Sequence, residues 1–66
     1  MNTQHQTRLL VVILTNGRNE RCRKTVFSAA EAVSNMSAAI LVIDNGNNGL
    51  ELPDKVNGVQ CDIVRT

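Results

Sequence analysis

One stretch decides the fold of this chain: residues 8–20, Arg-Leu-Leu-Val-Val-Ile-Leu-Thr-Asn-Gly-Arg-Asn-Glu. Residues 9–14 are all aliphatic, without alternation of apolar and polar side chains, and this predicts a strand with both faces covered. Such strands belong mostly to parallel sheets, and in open parallel sheets ligands bind beyond the carboxyl ends of the strands. The small and polar residues 15–18 are therefore predicted to form a ligand-facing turn.

A helix and a second strand are predicted next. Asn19 is expected to cap the helix, with Glu20 in its first turn. Residues 39–44, Ala-Ile-Leu-Val-Ile-Asp, form a second aliphatic run, and a strand–helix–strand unit of this length is typical of a right-handed parallel crossover. The residues whose three- and four-residue spacing predicts an amphipathic helix of about four turns are Cys22, Val26, Ala29, Ala30, Val33 and Met36.

The remainder of the chain predicts one more strand. Residues 50–56 contain Pro53 and suit a short helix or an irregular connection. Asn57-Gly58 is a turn signal, and residues 59–65 alternate as a third strand does. The predicted fold class is α/β: a Rossmann-like βαβ(α)β unit with a small parallel sheet, about three strands and one main helix.

The domain organisation is predicted to be simple. Residues 1–7 are polar and unpatterned, and they are expected to form a mobile N-terminus. Residues 8–66 are expected to form a single α/β unit.

The predicted elements leave a physical imbalance. The first two strands are apolar on both faces, but only one substantial helix is predicted to cover them. One sheet face should therefore be bare, which is unusual in a monomer. This predicts that the chain self-associates, packs on a partner or opens a longer domain.

Composition excludes several classes of partner. The formal net charge is +1, and 7 basic residues are interspersed among 6 acidic ones, so no basic surface for nucleic acid or an anionic membrane is expected. The apolar runs are too short to span a bilayer. Cys22 and Cys61 match neither a zinc ribbon nor a Cys-x-x-Cys pair, so they are predicted to be free thiols, in keeping with a cytoplasmic location.

Familiar catalytic and cofactor motifs are absent. The dinucleotide fingerprint needs G-x-G-x-x-G after the first strand, where only Gly17 is present, and no Gly-Lys-Ser/Thr follows as in a P-loop. The loop from Asp44 resembles the start of an EF-hand, but Lys55 occupies the position of the bidentate Glu. No catalytic residue and no metal ligand is predicted.

The candidate site lies at the predicted strand ends. Parallel strands share their carboxyl ends, so Asp44 is expected at the same edge of the sheet as Thr15. Amides and a carboxylate there suit a nucleobase or ribose, and a guanidinium suits phosphate. The spacing equally allows that Asp44 caps a turn and that Arg18 is solvated. The candidate nucleotide-binding residues are Thr15, Asn16, Arg18, Asp44 and Asn45.

Two segments resemble a known family. Residues 11–20, Val-Val-Ile-Leu-Thr-Asn-Gly-Arg-Asn-Glu, resemble the opening of family 2 glycosyltransferases, typically Val-Val-Ile-Pro-Thr-Tyr-Asn-Arg-Pro-Glu. Residues 40–46, Ile-Leu-Val-Ile-Asp-Asn-Gly, are similar to that family's second-strand signature, Ile-Ile-Val-Val-Asp-Asn-Gly-Ser. The resemblance covers most of residues 9–65. It implies a GT-A fold, of which this chain is the N-terminal nucleotide-binding segment.

The resemblance also implies roles. Thr15 and Asn16 would border the base, and Asp44 would hydrogen-bond the base or its ribose. Asn16 stands where the family has an aromatic residue that stacks on uracil, which implies that affinity for a nucleotide-diphosphosugar is weak or lost.

The family's metal-binding Asp-x-Asp and its catalytic base follow the third strand. The resemblance thus implies glycosyl transfer, with Mg²⁺ or Mn²⁺, only in a full-length protein, and neither a cofactor nor catalysis within this chain. Two alternatives remain open: a small non-enzymatic protein-interaction or self-associating module, and a flavodoxin-like half-domain in which Asp44 binds ribose.

Overall fold

The computed structural model describes residues 9–66, which form an α/β unit with one helix and a four-stranded sheet. This confirms the predicted fold class. The expected mobile segment, residues 1–7, lies outside the described residues. The elements are β1 (Leu9–Thr15), α1 (Asn19–Ala32), β2 (Ala38–Asp44), β3 (Lys55–Val56) and β4 (Val59–Arg65).

The sheet has the strand order β1-β2-β4-β3. The three long strands are parallel, and Thr15, Asp44 and Arg65 are aligned across them. The carboxyl ends of β1, β2 and β4 therefore meet at one edge, as the sequence predicts.

The short strand β3 corrects part of the prediction for residues 50–56. Residues 50–54 form the irregular connection that the sequence allows, whereas Lys55 and Val56 pair antiparallel with β4. The predicted turn between them is confirmed, because Asn57 and Gly58 have φ values of 51° and 79°. Two consecutive positive φ angles are typical of the tight hairpin turns that Asn-Gly favours.

Helix α1 covers one face of the sheet. Val26 and Ala30 are completely buried in one core cluster with Ile40 and Val42 of β2, which are 1% and 0% exposed. Burying each such aliphatic side chain contributes about 1.5–3 kcal/mol. The helix has 14 residues, which matches the predicted four turns, but it ends at Ala32 and leaves Met36 57% exposed beyond it.

The predicted helix cap is wrong. Arg18 is the N-cap residue, and no side chain caps the helix. Asn19 is instead the first helical residue, and its Nδ2 donates a hydrogen bond to the carbonyl oxygen of Asn48 at 2.9 Å. The side chain predicted to cap the helix therefore ties the helix start to the loop after β2.

The opposite face of the sheet is bare, as predicted. Leu10, Val12 and Leu14 of β1 are 54%, 54% and 69% exposed there, and Val64 of β4 is 45% exposed. No helix or strand of residues 9–66 packs on this face.

Two further observations bear on the sequence predictions. Cys22 and Cys61 are free and buried, as expected. Within residues 9–66, no helix has the length and apolar character needed to cross a membrane.

Candidate functional site at the carboxyl edge of the sheet

Two loops meet at the carboxyl edge of the sheet: residues 16–18 after β1 and residues 45–49 after β2. The backbone N–H of Asn45 donates to the carbonyl oxygen of Thr15 at 2.9 Å. The hydrogen bond from Asn19 to Asn48 also joins the second loop to the start of α1. The juxtaposition of strand ends predicted from the sequence is thus present.

Asp44 organises the second loop from inside. Its side chain has no exposed surface. Both carboxylate oxygens lie 3.0 Å from the backbone N–H of Asn48, and Oδ1 also accepts a hydrogen bond from Asn48 Nδ2 at 3.2 Å. Oδ2 accepts from the backbone N–H of Leu50 and from Nη1 of Arg65, each at 3.3 Å. The turn-capping interpretation of Asp44 describes this geometry.

These contacts favour the charged form of Asp44. The backbone N–H of Asn48 is the main cause that lowers the pKa of this carboxyl group below its ordinary value of 3.8. Burial opposes the shift, while the Asn48 side chain, the Leu50 N–H and the Arg65 guanidinium reinforce it. Asp44 is therefore an anion at neutral pH.

This lowered pKa predicts that the folded state loses stability in acid. A depressed native pKa contributes stability at every pH above the unfolded-state value, and this contribution disappears as the pH falls through the native value. We expect stability from Asp44 to be complete at neutral pH and to decline below about pH 4. Thermal unfolding of the wild type and of Asp44→Asn, measured from pH 7 to pH 2, checks this. The difference in Tm between the two proteins should narrow in acid. A constant difference would contradict the lowered pKa of Asp44.

A cavity of about 280 Å³ lies beside β1, at the start of α1. Three of the predicted site residues, Thr15, Asn16 and Arg18, line it, whereas Asp44 and Asn45 do not. The full lining is Ile13, Leu14, Thr15, Asn16, Arg18, Arg21, Cys22 and Thr25.

The cavity combines apolar and cationic walls. Ile13 and Leu14 are the aliphatic residues of its lining, and Arg18 and Arg21 are its two basic residues. The first hydrogen bond of α1 runs from the N–H of Cys22 to the carbonyl of Arg18. The N–H groups of residues 19–21 precede it and have no acceptor within the helix, so this end of α1 carries partial positive charge.

Arg21 is the charged lining residue outside the predicted site, because a basic residue off the apolar spacing of α1 indicates only a solvated helix face. The available signal was its spacing of three residues from Arg18, which puts both on one side of the first turn.

Cys22 is a neutral part of the lining. Burial raises the pKa of its thiol and outweighs the hydrogen bond with Thr15, which acts in the opposite direction. The thiol is therefore protonated at neutral pH, which makes it a poor nucleophile.

The described residues do not fit a metal ion. Residues 9–66 contain no cluster of three or more His, Cys, Asp or Glu side chains arranged to hold one. The carboxylate of Asp44, at the edge of the sheet, is already engaged by Asn48, Leu50 and Arg65.

Comparison of this chain with models of protein families, with curated proteins and with solved structures found no match.

Proposed function

We propose that this chain is the N-terminal nucleotide-sugar-binding segment of a family 2-like glycosyltransferase with a GT-A fold. It binds the nucleoside diphosphate in the cavity beside β1 and does not catalyse glycosyl transfer by itself. The observation that carries the proposal is that Thr15, Asn16 and Arg18 line one cavity together with Arg21.

The cavity has the chemistry that a nucleoside diphosphate requires. Guanidinium groups form charge-assisted, often bidentate hydrogen bonds with phosphate oxygens, and the adjacent helix N-terminus favours the same anion. The aliphatic side chain of Ile13, which packs against the core side of the sheet, offers the base an apolar contact in a site where Asn16 supplies no aromatic ring. The Asn16 amide both donates and accepts hydrogen bonds, which suits a base edge.

Asp44 and Asn45 act differently in this proposal. The Asp44 carboxylate holds the loop that contacts the turn after β1, so it positions that turn. For Asp44 to accept a hydrogen bond directly from the base or ribose, as the resemblance implies, Arg65 or Asn48 must release a carboxylate oxygen. Asn45 Oδ1 accepts a hydrogen bond from Thr66 Oγ1 at 3.2 Å, and its exposed side chain is open to exchange with a ligand.

The proposed location of this function is the cytoplasm. The two free cysteines fit the reducing cytoplasm. The resemblance implies a divalent cation, Mg²⁺ or Mn²⁺, only in a full-length homologue.

The test is an NMR titration with uridine and guanosine diphosphosugars at millimolar concentration. We expect amide shifts at Thr15, Asn16 and Arg21. Arg18→Gln and Arg21→Gln should each weaken binding about 10-fold, because a hydrogen bond to a charged group is worth about 1.5–3 kcal/mol.

Lys24→Gln is the matched control. It removes the same charge from an exposed position of α1 that does not line the cavity, and it should change affinity less than about two-fold. The proposal is wrong if the wild type shows no shifts in the cavity, or if all three variants lose affinity equally.

The bare sheet face favours a second candidate function, a self-associating α/β module without enzymatic activity. Leu10, Val12 and Leu14 expose more than half of their surface, and contiguous apolar patches of this kind mark interaction surfaces. Sedimentation of the wild type separates the candidates, because a monomer at all concentrations contradicts self-association and leaves nucleotide binding unaffected.

A further inference from the structure

We propose that β1 pairs antiparallel with β1 of a second copy of this chain, about a two-fold axis at Val12. The pairing joins two four-stranded sheets into one continuous sheet. The inference does not rest on nucleotide binding. It deepens the second candidate function by naming the strand that makes the contact.

The backbone of β1 is half unpaired. β1 lies at the edge of the sheet with β2 as its neighbour. The N–H of Leu9 donates to the carbonyl of Ser37 at 3.2 Å, and the carbonyl of Thr15 accepts from Asn45 at 2.9 Å, both on the β2 side. In a parallel pair, every second residue directs both its N–H and its C=O to the neighbouring strand. The alternate residues Leu10, Val12 and Leu14 therefore direct theirs to the open edge.

The same three residues are exposed through their side chains. They project onto the bare face, where their exposed fractions range from 54% to 69%. Within the described part of the chain, no strand pairs with the outward backbone groups of these residues, and no element packs over their side chains. Ordering a second strand along this edge satisfies the backbone groups and places the partner's side chains beside these three on the same face.

β1 also lacks the features that protect a sheet edge. Natural edge strands are usually short, or carry Lys, Pro or a bulge. The other edge, β3, has two residues and includes Lys55. β1 has seven residues, six of them aliphatic and none charged. An uncharged, regular edge of this length is a template for another strand.

A second copy supplies a matching strand. With Val12 opposite its own counterpart, Leu10 lies opposite Leu14 of the second copy, and the reverse pair follows by symmetry. These are hydrogen-bonded pairs, in which opposing residues exchange both N–H···O bonds. Every outward backbone group of the three residues is then satisfied. A two-fold axis places identical segments opposite each other. This causes no repulsion between like charges, because β1 contains no charged residue.

The test is sedimentation equilibrium of the full chain, with wild type, Val12→Pro and Leu41→Lys. The wild type should reach twice the monomer mass of 7.2 kDa as concentration rises. Proline at position 12 removes an N–H that points to the open edge and leaves the pairing with β2 intact, a placement that edge strands tolerate. This variant should remain monomeric, with a dimer dissociation constant raised at least about 10-fold.

Leu41→Lys is the control for packing between bare faces. Leu41 lies on the same face but in β2, whose backbone is paired on both sides. The Leu41→Lys variant should still dimerise. A wild type that stays monomeric overturns the proposal. So does the reverse pattern, in which Leu41→Lys abolishes association and a folded Val12→Pro retains it, because that indicates face-to-face packing.

If Val12→Pro does not fold, amide hydrogen exchange of the wild type tests the pairing of β1 instead. The amides of Leu10, Val12 and Leu14 should be protected at high concentration and should lose protection on dilution, while Val11 and Ile13 stay protected. Unprotected edge amides in a dimer overturn the proposal. Edge amides that stay protected in a monomer overturn it too, because the partner strand then comes from the same chain.

Discussion

Asp44→Asn is expected to lower the Tm of this protein by roughly 10 °C at neutral pH. The wild-type carboxylate faces donors alone, namely the N–H groups of Asn48 and Leu50 and the guanidinium of Arg65. An asparagine of the same shape places an NH₂ group against one of these donors and removes the charge. Because the site has no exposed surface, water does not replace the lost contact. Thermal unfolding followed by circular dichroism measures the change.

Asp62→Asn is the matched control for this substitution. Asp62 is an exposed carboxylate on β4 whose Oδ1 lies 3.4 Å from Gln60 Nε2. Its substitution should shift the Tm by no more than about 2 °C, because exposed polar pairs contribute little to stability. Equal shifts for the two variants would show that Asp44 does not organise the loop.

Leu50→Ala is expected to lower the free energy of unfolding by about 2–5 kcal/mol. Leu50 is 0% exposed and is among the largest fully buried side chains. A domain below about 70–80 residues rarely has more than about 3–5 kcal/mol of stability to lose. This substitution should therefore remove most of the stability of the folded state, and urea unfolding measures it through the transition midpoint.

Leu50→Met keeps the volume and the apolar character of the side chain. It should cost less than about 1.5 kcal/mol. If alanine and methionine at this position are equally mild, then Leu50 does not hold the loop against the core. Leu50 and Asp44 together explain how the Asn- and Gly-rich connection after β2 keeps one shape. The Leu50 side chain is buried in the core, and the Asp44 carboxylate accepts hydrogen bonds from the backbone of the connection.

The long elements were predictable because their signals are local. Uninterrupted aliphatic runs marked β1 and β2, and the spacing from Cys22 to Ala30 marked α1. The bare face was predictable because the sequence predicts only one helix to cover strands that are apolar on both faces. The short strand β3 was not predictable, because the two residues Lys55 and Val56 are too few to show periodicity.

The candidate site was predictable in part. The meeting of Thr15 and Asp44 at one edge follows from parallel pairing alone. The helix cap at Arg18 and the place of Arg21 in the cavity depend on the angle at which the chain leaves β1. Asn19 could not be assigned from sequence because its partner, Asn48, is 29 residues away.

The sequence by itself determined the parallel strands, the helix between them, the edge at which polar residues gather and the face left without a cover. These depend on the period of apolar side chains along the chain, which is a local property. Only the tertiary structure decided the direction of the Asp44 carboxylate. Its donors come from the loop after β2 and from the end of β4, so their convergence exists only after the strands have paired. The same pairing gave Leu10, Val12 and Leu14 an open edge, because it placed β2 on one side of β1 and no described strand on the other.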